Sequence, residues 1–294
     1  MLDVAPSGLA PGGEVGFDPG YVTTDGAEYA FGRRYWITAV RRVRANGASI
    51  VEVDAEGAWN ALAEWRALRQ IAWASGATSA YGVLREIARR AGAFLLVSGA
   101  SAESTGLTPA STMRAGERGD RAFARLLERL PDAVRAQGTF LTLTEQSAGE
   151  SAGYAYGSLH AMASLRVVDA RREAGWARVF GAGLFAEAMD ATAIGGGAGA
   201  AIVVDDNLGF VARAAARDAA VLRRAALEEA ADELVALPHV GQEIGDVVEG
   251  TDATLGLAAV RYRVTSLRFD YATAEATAGS RGGRALMTLG LGEV

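Results

Sequence analysis

The stretch VRYRVTSLRFDY, residues 260–271, decides the fold, because its apolar pattern changes phase in the middle. In the first half the apolar side chains share one face of a β-strand, opposite Arg261 and Arg263, at Val260, Tyr262 and Val264. Beyond Ser266 they lie one residue out of step, at Leu267, Phe269 and Tyr271. Since side chains in a strand alternate with a period of two, this shift requires a β-bulge or a crossing between two sheets.

The residues that follow predict a small β-barrel. RALMTLGLGEV, residues 284–294, has the composition of a closing strand, and a glycine-containing turn is expected at 279–283. A bulged strand, a turn and a closing strand are typical of a small barrel, whereas a flat sheet needs no bulge.

Upstream, the segment GQEIGDVVEGTDATLG (241–256) raises the question of a metal site. Four carboxylates lie among its glycines, at Glu243, Asp246, Glu249 and Asp252. A calcium-binding EF-hand loop needs oxygen ligands at its first, third, fifth and twelfth positions. Starting at Asp246, the third position is Val248 and the fifth is Gly250, so the template fails. We interpret the pair Val247 and Val248 as the first strand of the barrel.

The segment before it predicts one long helix, assigned to residues 205–237. Asp205 or Asp206 is placed to cap the N-terminus, the interior is rich in alanine, and Pro238 ends the helix. At 1.5 Å per residue such a helix is about 45 Å long. Its alanines allow close packing on a sheet, and its arginines and glutamates are expected to face solvent.

The first half of the chain predicts a β-hairpin followed by helices. Residues 35–55 contain two β-runs joined by Asn46 and Gly47, which is the strongest short-range hairpin signal. Asp54 then stands at the N-cap position of a helix expected over 56–76. The tryptophans of that helix fall near helical spacing and are expected in the core, and not in a ligand-stacking platform, at Trp59, Trp65 and Trp73.

Further elements follow from the same periodicities. A second helix is expected over 78–93, capped by Ser79 and ended by Gly92. The others are a short buried strand at 93–99, a loop at 99–119, a helix from Asp120, a strand at 139–146, two strands within 160–183 and a flexible loop at 195–200.

Composition excludes several classes of site. The 294 residues are half hydrophobic and carry a net charge of −6, which fits one to three globular domains and argues against a general nucleic-acid binder. Cysteine and lysine are both absent, which excludes disulfides, thiolate zinc sites, phosphate-loop lysines and Schiff-base lysines. No signal segment and no run of about 18 apolar residues stands out, so no membrane span is expected.

Few residues are candidates for chemistry. The only histidines are His160 and His239, and Ser158 near the first suggests a hydrolase, but no G-x-S-x-G nucleophile elbow is present. GAGLFA (181–186) matches a degenerate dinucleotide pattern without a convincing crossover helix after it. GGGAGA (195–200) lacks the lysine of a phosphate loop. We therefore predict no catalytic, cofactor-binding or metal-binding residue, and no cofactor.

Together these elements predict an α+β fold, with small β-barrel or β-sandwich domains, an inserted helical domain and one long helix. We expect an extended N-terminal arm at 1–30. A partial β-domain with a small helical or α/β domain is expected at 31–150. A β-barrel-type domain that contains the long helix is expected at 151–294.

Six sequence segments carry a family resemblance. They are AEGAWNALAEWRALRQIAW (55–73), SAYGVLREIARRAG (79–92), GYAYGSLHAM (153–162), DDNLGFVARAAARDAAVLRRA (205–225), PHVGQEIGDVVEGTDATLGLAAVRYRVTSLRFDY (238–271) and LMTLGLG (286–292). In this order the chain, from about residue 30 to 294, resembles the phage tail hub proteins of siphophage tail tips, contractile-tail baseplates and tail-derived injection particles. Such hubs usually carry a complete first barrel, whereas here only about 55 residues precede the first predicted helix.

The resemblance implies a structural protein of the virion and no enzymatic activity. Hubs of this kind look like homotrimers around the tail axis, made in the host cytoplasm. They join the tail tube, or a distal tail protein, to a central fibre or spike, and DNA passes through their lumen. The negative net charge of this chain is consistent with a lumen that repels the DNA backbone.

Three alternatives remain. Within the virion, the chain could be a distal tail adaptor or another tail-tip component. As an enzyme, it would be a hydrolase using Ser158 and His160 or a carboxylate pair. A carbohydrate-binding module would need exposed aromatic side chains in the terminal barrel, but Tyr262, Phe269 and Tyr271 follow the buried alternation.

Overall fold

The computed structural model describes residues 8–24, 26–30, 32–45, 48–147, 149–168, 172–229, 232–272 and 284–294. The fold is α+β, as predicted, with several small sheets that include a half-barrel. The chain divides into two compact units, Met1–Glu145 (unit 1) and Gln146–Val294 (unit 2). The finer division into 1–30, 31–150 and 151–294 stays a prediction.

The described part of unit 1 contains ten strands and four helices. In chain order they are β1 (Glu14–Phe17), β2 (Gly20–Thr23), β3 (Gly26–Tyr29), β4 (Arg33–Ala45), β5 (Ala48–Glu56), α1 (Ala58–Glu64), β6 (Ile71–Trp73), α2 (Ala80–Arg90), β7 (Phe94–Val97), α3 (Ala102–Gly106), β8 (Ser111–Met113), α4 (Gly119–Leu127), β9 (Asp132–Gln137) and β10 (Phe140–Glu145). The sheets have strand orders β1-β4-β5, β2-β3, β6-β8 and β7-β10-β9. The core lies where α1, α2 and α4 pack with the inner face of the last sheet.

The hairpin and the second helix of unit 1 form as predicted. β4 and β5 pair antiparallel, and their turn residues, Asn46 and Gly47, lie outside the described residues. α2 begins after Ser79, whose hydroxyl accepts the N–H of Gly82. It ends before Gly92, which has the left-handed φ of +82° that favours glycine.

The helix predicted over 56–76 is wrong in its length. α1 ends at Glu64, and the next residues are extended. The N–H of Trp65 makes the last helical bond, to Ala61, and beyond it the Trp65 carbonyl and both backbone groups of Ala67 bond with residues 116–119. These tertiary hydrogen bonds satisfy the backbone N–H and C=O groups that a longer helix would also satisfy. They therefore outweigh the helix propensity of the residues after Glu64.

Three further predictions in unit 1 need correction. Asp54 is not a helix cap, since it lies in β5 and forms an ion pair with Arg41 on β4. The loop predicted at 99–119 contains α3 and β8, and β8 pairs with β6. The strand predicted at 93–99 forms as β7, but only its Leu95 is buried, since Phe94 and Leu96 alternate onto the opposite face and Val97 is 48% exposed.

The extended arm expected at 1–30 is partly folded in its described residues. β1 pairs antiparallel with β4, and β2 pairs with β3. Pro11 and Pro19 lie just outside these strands, where a residue without a backbone N–H removes no ladder bond.

The described part of unit 2 contains nine strands and two helices. They are β11 (Tyr154–Tyr156), β12 (Met162–Arg166), β13 (Ala174–Phe180), β14 (Phe185–Met189), α5 (Ala191–Gly195), β15 (Gly199–Val204), α6 (Val211–Glu229), β16 (Asp232–Ala236), β17 (Val247–Asp252), β18 (Leu257–Ala272) and β19 (Arg284–Glu293). A six-stranded sheet has the order β11-β17-β18-β19-β16-β12, and a three-stranded sheet has the order β14-β13-β15.

β18 carries the predicted change of phase. Its pairing with β19 shifts between Val264 and Ser266. Before the shift Tyr262 and Val264 are buried, and after it Leu267 and Phe269 pack against the same core. The bulge therefore keeps one long strand on one core. The turn expected at 279–283 lies outside the described residues.

The two edges of the six-stranded sheet approach each other at one point. An isolated parallel bridge joins Tyr156, the last residue of β11, to His160, which precedes β12. The N–H of Gly157 also donates to the carbonyl of His160. We call this point the seam of the half-barrel.

The helix predicted over 205–237 is wrong at both ends. Asp205 follows β15 and accepts the N–H of Asn207 in a turn, and α6 spans only Val211–Glu229, about 28 Å. Residues 232–236 form β16 instead, with buried side chains in alternation at Asp232, Leu234 and Ala236. β16 pairs with β12 and β19, and this two-sided pairing overrides the helix propensity of an alanine- and glutamate-rich run.

α6 covers one face of the three-stranded sheet. The buried cluster between them consists of Val179, Ala186, Leu208 and Ala214. The flexible loop expected at 195–200 is also wrong in part, because α5 ends at Gly195 and β15 begins at Gly199, parallel to β13.

Candidate functional site

The acidic segment 241–256 is a hydrogen-bonded turn that leads into a strand. Asp246 accepts hydrogen bonds from the side chain of Gln242 and from the backbone N–H of Glu243. Gln242 in turn accepts the hydroxyl proton of Tyr156, 2.9 Å away, in the barrel core. The carboxylate of Asp246 therefore holds the connection between β16 and β17.

Asp252 plays a similar role at the other end of β17. Its Oδ1 accepts the N–H groups of Thr254 and Leu255 in the turn before β18. Val247 and Val248, the predicted first strand of the barrel, are buried in β17. Across the described residues, no three His, Cys, Asp or Glu side chains lie close enough to share a metal ion.

The two histidines, distant in sequence, meet at the seam. The ring centroids of His160 and His239 are 5.2 Å apart, and Tyr154 packs edge-on against His239 at 4.5 Å. Nδ1 of His239 is buried and has no hydrogen-bond partner within the described part of the chain. Burial, with a smaller contribution from His160, lowers the pKa of His239. The ring of His239 is therefore neutral at neutral pH.

Ser158 and His160 lie near each other without a hydrogen bond between their side chains in the described residues. Both line an open depression of about 430 Å³ that also contains Asp252. No hydrogen bond joins the Ser158 hydroxyl to either histidine in the residues that the structure describes, whereas a serine nucleophile needs a base within about 3.2 Å. The nearby carboxylate of Asp252 is engaged in its own turn.

The glycine-rich segments are sheet connections. Residues 181–186 turn β13 back into β14, with the N–H of Gly181 donating to the carbonyl of Leu184. A dinucleotide-binding turn would lead from a strand into a helix, and this one leads into an antiparallel strand. Residues 195–200 likewise connect α5 to β15.

Two of the three tryptophans predicted in the core pack against it, whereas the prediction is wrong for Trp59, which is exposed. Trp65 and Trp73 pack against the core of unit 1. Trp59 is 39% exposed and makes an edge-to-face contact with Phe123, with ring centroids 6.0 Å apart.

Comparisons with known proteins rest on structure alone. No family model and no curated protein matches the sequence. The 43 kDa tail protein of prophage MuSo2 from Shewanella oneidensis matches with a TM-score of 0.61 and 14% identity, over 97% of this chain and 91% of its own. The tail protein from Neisseria meningitidis MC58 matches with a TM-score of 0.63 and 13% identity, over 97% and 89%.

The chain has the fold of phage tail proteins. A third structure, prophage tail protein gp18 from Listeria monocytogenes EGD-e, matches with a TM-score of 0.51 and 12% identity, over 95% of this chain and 84% of its own. At these identities the likeness concerns the fold. No helix in the described part of the chain is long and apolar enough to cross a membrane.

Within this tail-protein fold, Arg263 is a structural residue that the sequence pattern missed. It was expected on the outer face of β18, yet it is 3% exposed. Its guanidinium donates to the Glu150 carboxylate at 2.9 Å and to the carbonyls of Ser147 and Gly245. Arg263 thus fastens the segment before β11 to the barrel, and no local sequence signal distinguishes it from Arg261.

Among the described residues, two sheet faces expose large apolar side chains, which the sequence did not predict. The unit 1 apolar face is formed by Phe94, Leu96 and Phe140 on β7 and β10. The unit 2 apolar face is formed by Phe185, Met189, Ile202 and Val204 on β14 and β15. Contiguous exposed apolar faces mark sites of protein association, so these faces are the candidate functional surfaces.

Proposed function

We propose that the chain is a structural component of a phage or phage-like tail, placed at the tail tip or baseplate hub. The supporting observation is the extent of the fold match, which covers 97% of this chain and 91% of the Shewanella tail protein. A match confined to one small barrel would fit many functions. A match of this extent includes both units of the chain.

In this proposal three copies surround the tail axis. They join the tail tube, or a distal tail protein, to the central fibre or spike, and they line a channel for DNA or effectors. The net charge of −6 supports such a channel, because a negative wall repels the DNA backbone and reduces adhesion during passage. The protein is made in the host cytoplasm and acts in the virion.

The role proposed here is non-enzymatic and uses no cofactor or metal. It is supported by the structural contacts of the polar side chains that were candidates for catalysis or metal binding. In the described residues Asp246 and Asp252 hold turns, the pKa of His239 is lowered, and no hydrogen bond joins the Ser158 hydroxyl to a histidine.

Labelling of assembled tails tests the location. Particles produced from the complete set of tail genes are decorated with a gold-labelled antibody against the purified chain and imaged by electron microscopy. We expect label at the end of the tail distal to the capsid. Label along the tube, or no label on intact tails, would overturn the proposal.

The number of subunits separates the alternatives. We expect mass photometry to give three times the 30.5 kDa of one chain. A six-membered ring would favour the distal tail adaptor. A monomer that is absent from particles and hydrolyses ester or glycoside substrates would favour the enzyme, and loss of that activity in Ser158→Ala would identify its nucleophile.

A further inference from the structure

The unit 2 apolar face is the outer side of a sheet whose inner side is already covered. Alternation along β13 directs Ala177 and Val179, both fully buried, toward the α6 side. The intervening residues, and their partners on β14 and β15, therefore point outward. Those partners expose large apolar side chains: Phe185 56%, Met189 59%, Ile202 69% and Val204 71%.

The polar groups of this face are matched to one another. Arg178 and Glu187 lie directly opposite on β13 and β14 and form an ion pair at 2.6 Å. The Arg178 guanidinium also lies over the rings of Trp176 and Phe185, at 4.7 and 5.6 Å from their centroids. The charges cancel within the face, so it offers little to a phosphate, a lipid headgroup or DNA. An apolar protein surface is the chemically matching occupant.

The unit 1 apolar face has the same construction. Leu95, Leu141 and Leu143 point inward and are buried in the core. Their neighbours point outward and are exposed: Phe94 62%, Leu96 49% and Phe140 42%. Phe94 and Phe140 pair across β7 and β10, with ring centroids 5.7 Å apart. A sheet with one face in solvent ordinarily carries polar side chains there.

The two faces together have the area of an interface. A half-exposed phenylalanine presents on the order of 100 Å², so the seven side chains expose roughly 700 Å² of apolar surface. A standard interface buries about 1,600 Å² in total, of which somewhat more than half, about 900 Å², is apolar. On the same scale the unit 1 face paired with itself would present about 600 Å² and the unit 2 face paired with itself about 800 Å², so area alone does not select the pairing.

Symmetry favours pairing the two different faces. A closed ring of identical subunits needs a head-to-tail contact, in which two distinct surfaces of each copy meet. The chain carries two such surfaces, one on each unit. We propose that the unit 2 apolar face of one copy packs on the unit 1 apolar face of the next copy, sheet against sheet at about 10 Å. This inference rests on the proposed function, since it names the contact that builds the ring.

Cysteine cross-linking tests the contact directly, because the chain has no cysteine of its own. Ile202→Cys and Phe94→Cys are made as separate variants with tags of different size, mixed, and treated with a short bifunctional maleimide. We expect the mixture to give a cross-linked dimer that carries both tags. Neither variant alone should give a cross-linked dimer. Leu68→Cys is the control, because Leu68 is 99% exposed and lies outside both faces. No mixed product, or cross-linking of Ile202→Cys to itself, would overturn the inference.

Charge substitution gives an independent test. Ile202→Asp and Phe94→Asp should each weaken self-association at least tenfold in mass photometry, because each buries a carboxylate in the contact. Leu68→Asp should not change it. Circular dichroism melts, recorded at a concentration at which the wild type is also monomeric, should be unchanged for all three, since these side chains are exposed in the single chain.

The outcomes for the contact and for the function are separable. A ring that persists in both Asp variants contradicts the contact but leaves the tail role intact. A wild-type chain that stays monomeric at tens of micromolar also contradicts the contact. Absence of the chain from assembled tails contradicts the proposed function, whatever its self-association.

Discussion

Replacing Val264 by aspartate tests whether β18 closes the core of the half-barrel. Val264 is 1% exposed and lies at the register shift, opposite Leu291 of β19. It belongs to the same buried cluster as Tyr156 and Leu289, which come from strands on either side. The cluster consists of aliphatic, methionine and tyrosine side chains and contains no cation, so a carboxylate at this position must be buried without a counter-charge or the strand must leave the core.

The magnitude follows from two contributions. Loss of a fully buried valine side chain costs about 1.5–3 kcal/mol. A carboxyl held in an apolar core has its pKa raised by about 3 units, which at 1.36 kcal/mol per unit costs about 4 kcal/mol at neutral pH. Together they approach the total stability of an ordinary domain, about 5–15 kcal/mol. Unit 2 should therefore unfold at a much lower temperature.

Differential scanning calorimetry at pH 7 and pH 4 measures the effect. The penalty should shrink at pH 4, because the unfolded state then also holds the proton. Thr265→Asp places the same charge on the adjacent exposed residue and should melt as the wild type does. Val264→Thr keeps the shape without the charge and should lose about 1–3 kcal/mol. An unchanged melting curve for Val264→Asp refutes the strand assignment.

Three other perturbations follow from single groups. The pKa of His239 is lowered in the folded chain, so the unfolded chain binds the histidine proton first as the pH falls below about 6.5. The free energy of unfolding should therefore decrease below that pH. In His239→Asn this decrease should be smaller. Burial raises the pKa of Asp218, so its ionised form destabilises the folded chain at pH 7. Asp218→Asn should therefore raise the melting temperature at pH 7 and have no such effect below about pH 4. An equal rise at both pH values would contradict the raised pKa. Arg263→Met removes three hydrogen bonds of a buried guanidinium, and we expect a loss of about 1–3 kcal/mol in chemical denaturation. The matched change Arg268→Met, at an arginine 74% exposed on the same strand, should cost less than about 1 kcal/mol.

Local signals in the sequence predicted several elements correctly. The hydroxyl of Ser79 and the left-handed Gly92 mark the two ends of α2. The change of phase after Val264 marks the bulge in β18. Each of these features depends on residues within a few positions of one another, so the chain itself contains the information.

The wrong predictions share a different cause. The helix over 56–76 stops at Glu64 because residues 116–119 supply backbone partners from a distant part of the chain. The helix over 205–237 gives way to β16 because β12 and β19 pair with it on both sides. Propensity amounts to less than about 1 kcal/mol per residue, and partners of this kind outweigh it.

For the candidate sites, composition was a weaker guide than spacing. Four acids between 243 and 252 suggested ligands, whereas their spacing argued against a calcium loop, and in the structure Asp246 and Asp252 accept backbone hydrogen bonds in turns. The meeting of His160 with His239, and the burial of Arg263, could not be anticipated, because both depend on the closing of the half-barrel.

The sequence by itself determined the α+β class, the hairpin, the bulged strand and the absence of lysine and cysteine chemistry, because these follow from residue types and short periodicities. Only the tertiary structure decided which sheet faces are covered. Alternation in the sequence shows that Leu95 and Phe94 lie on opposite faces of a sheet, and so do Val179 and Arg178. It does not show which of the two faces a helix covers. Burial is a property of what packs on a face, and that is set by contacts between segments far apart in the chain.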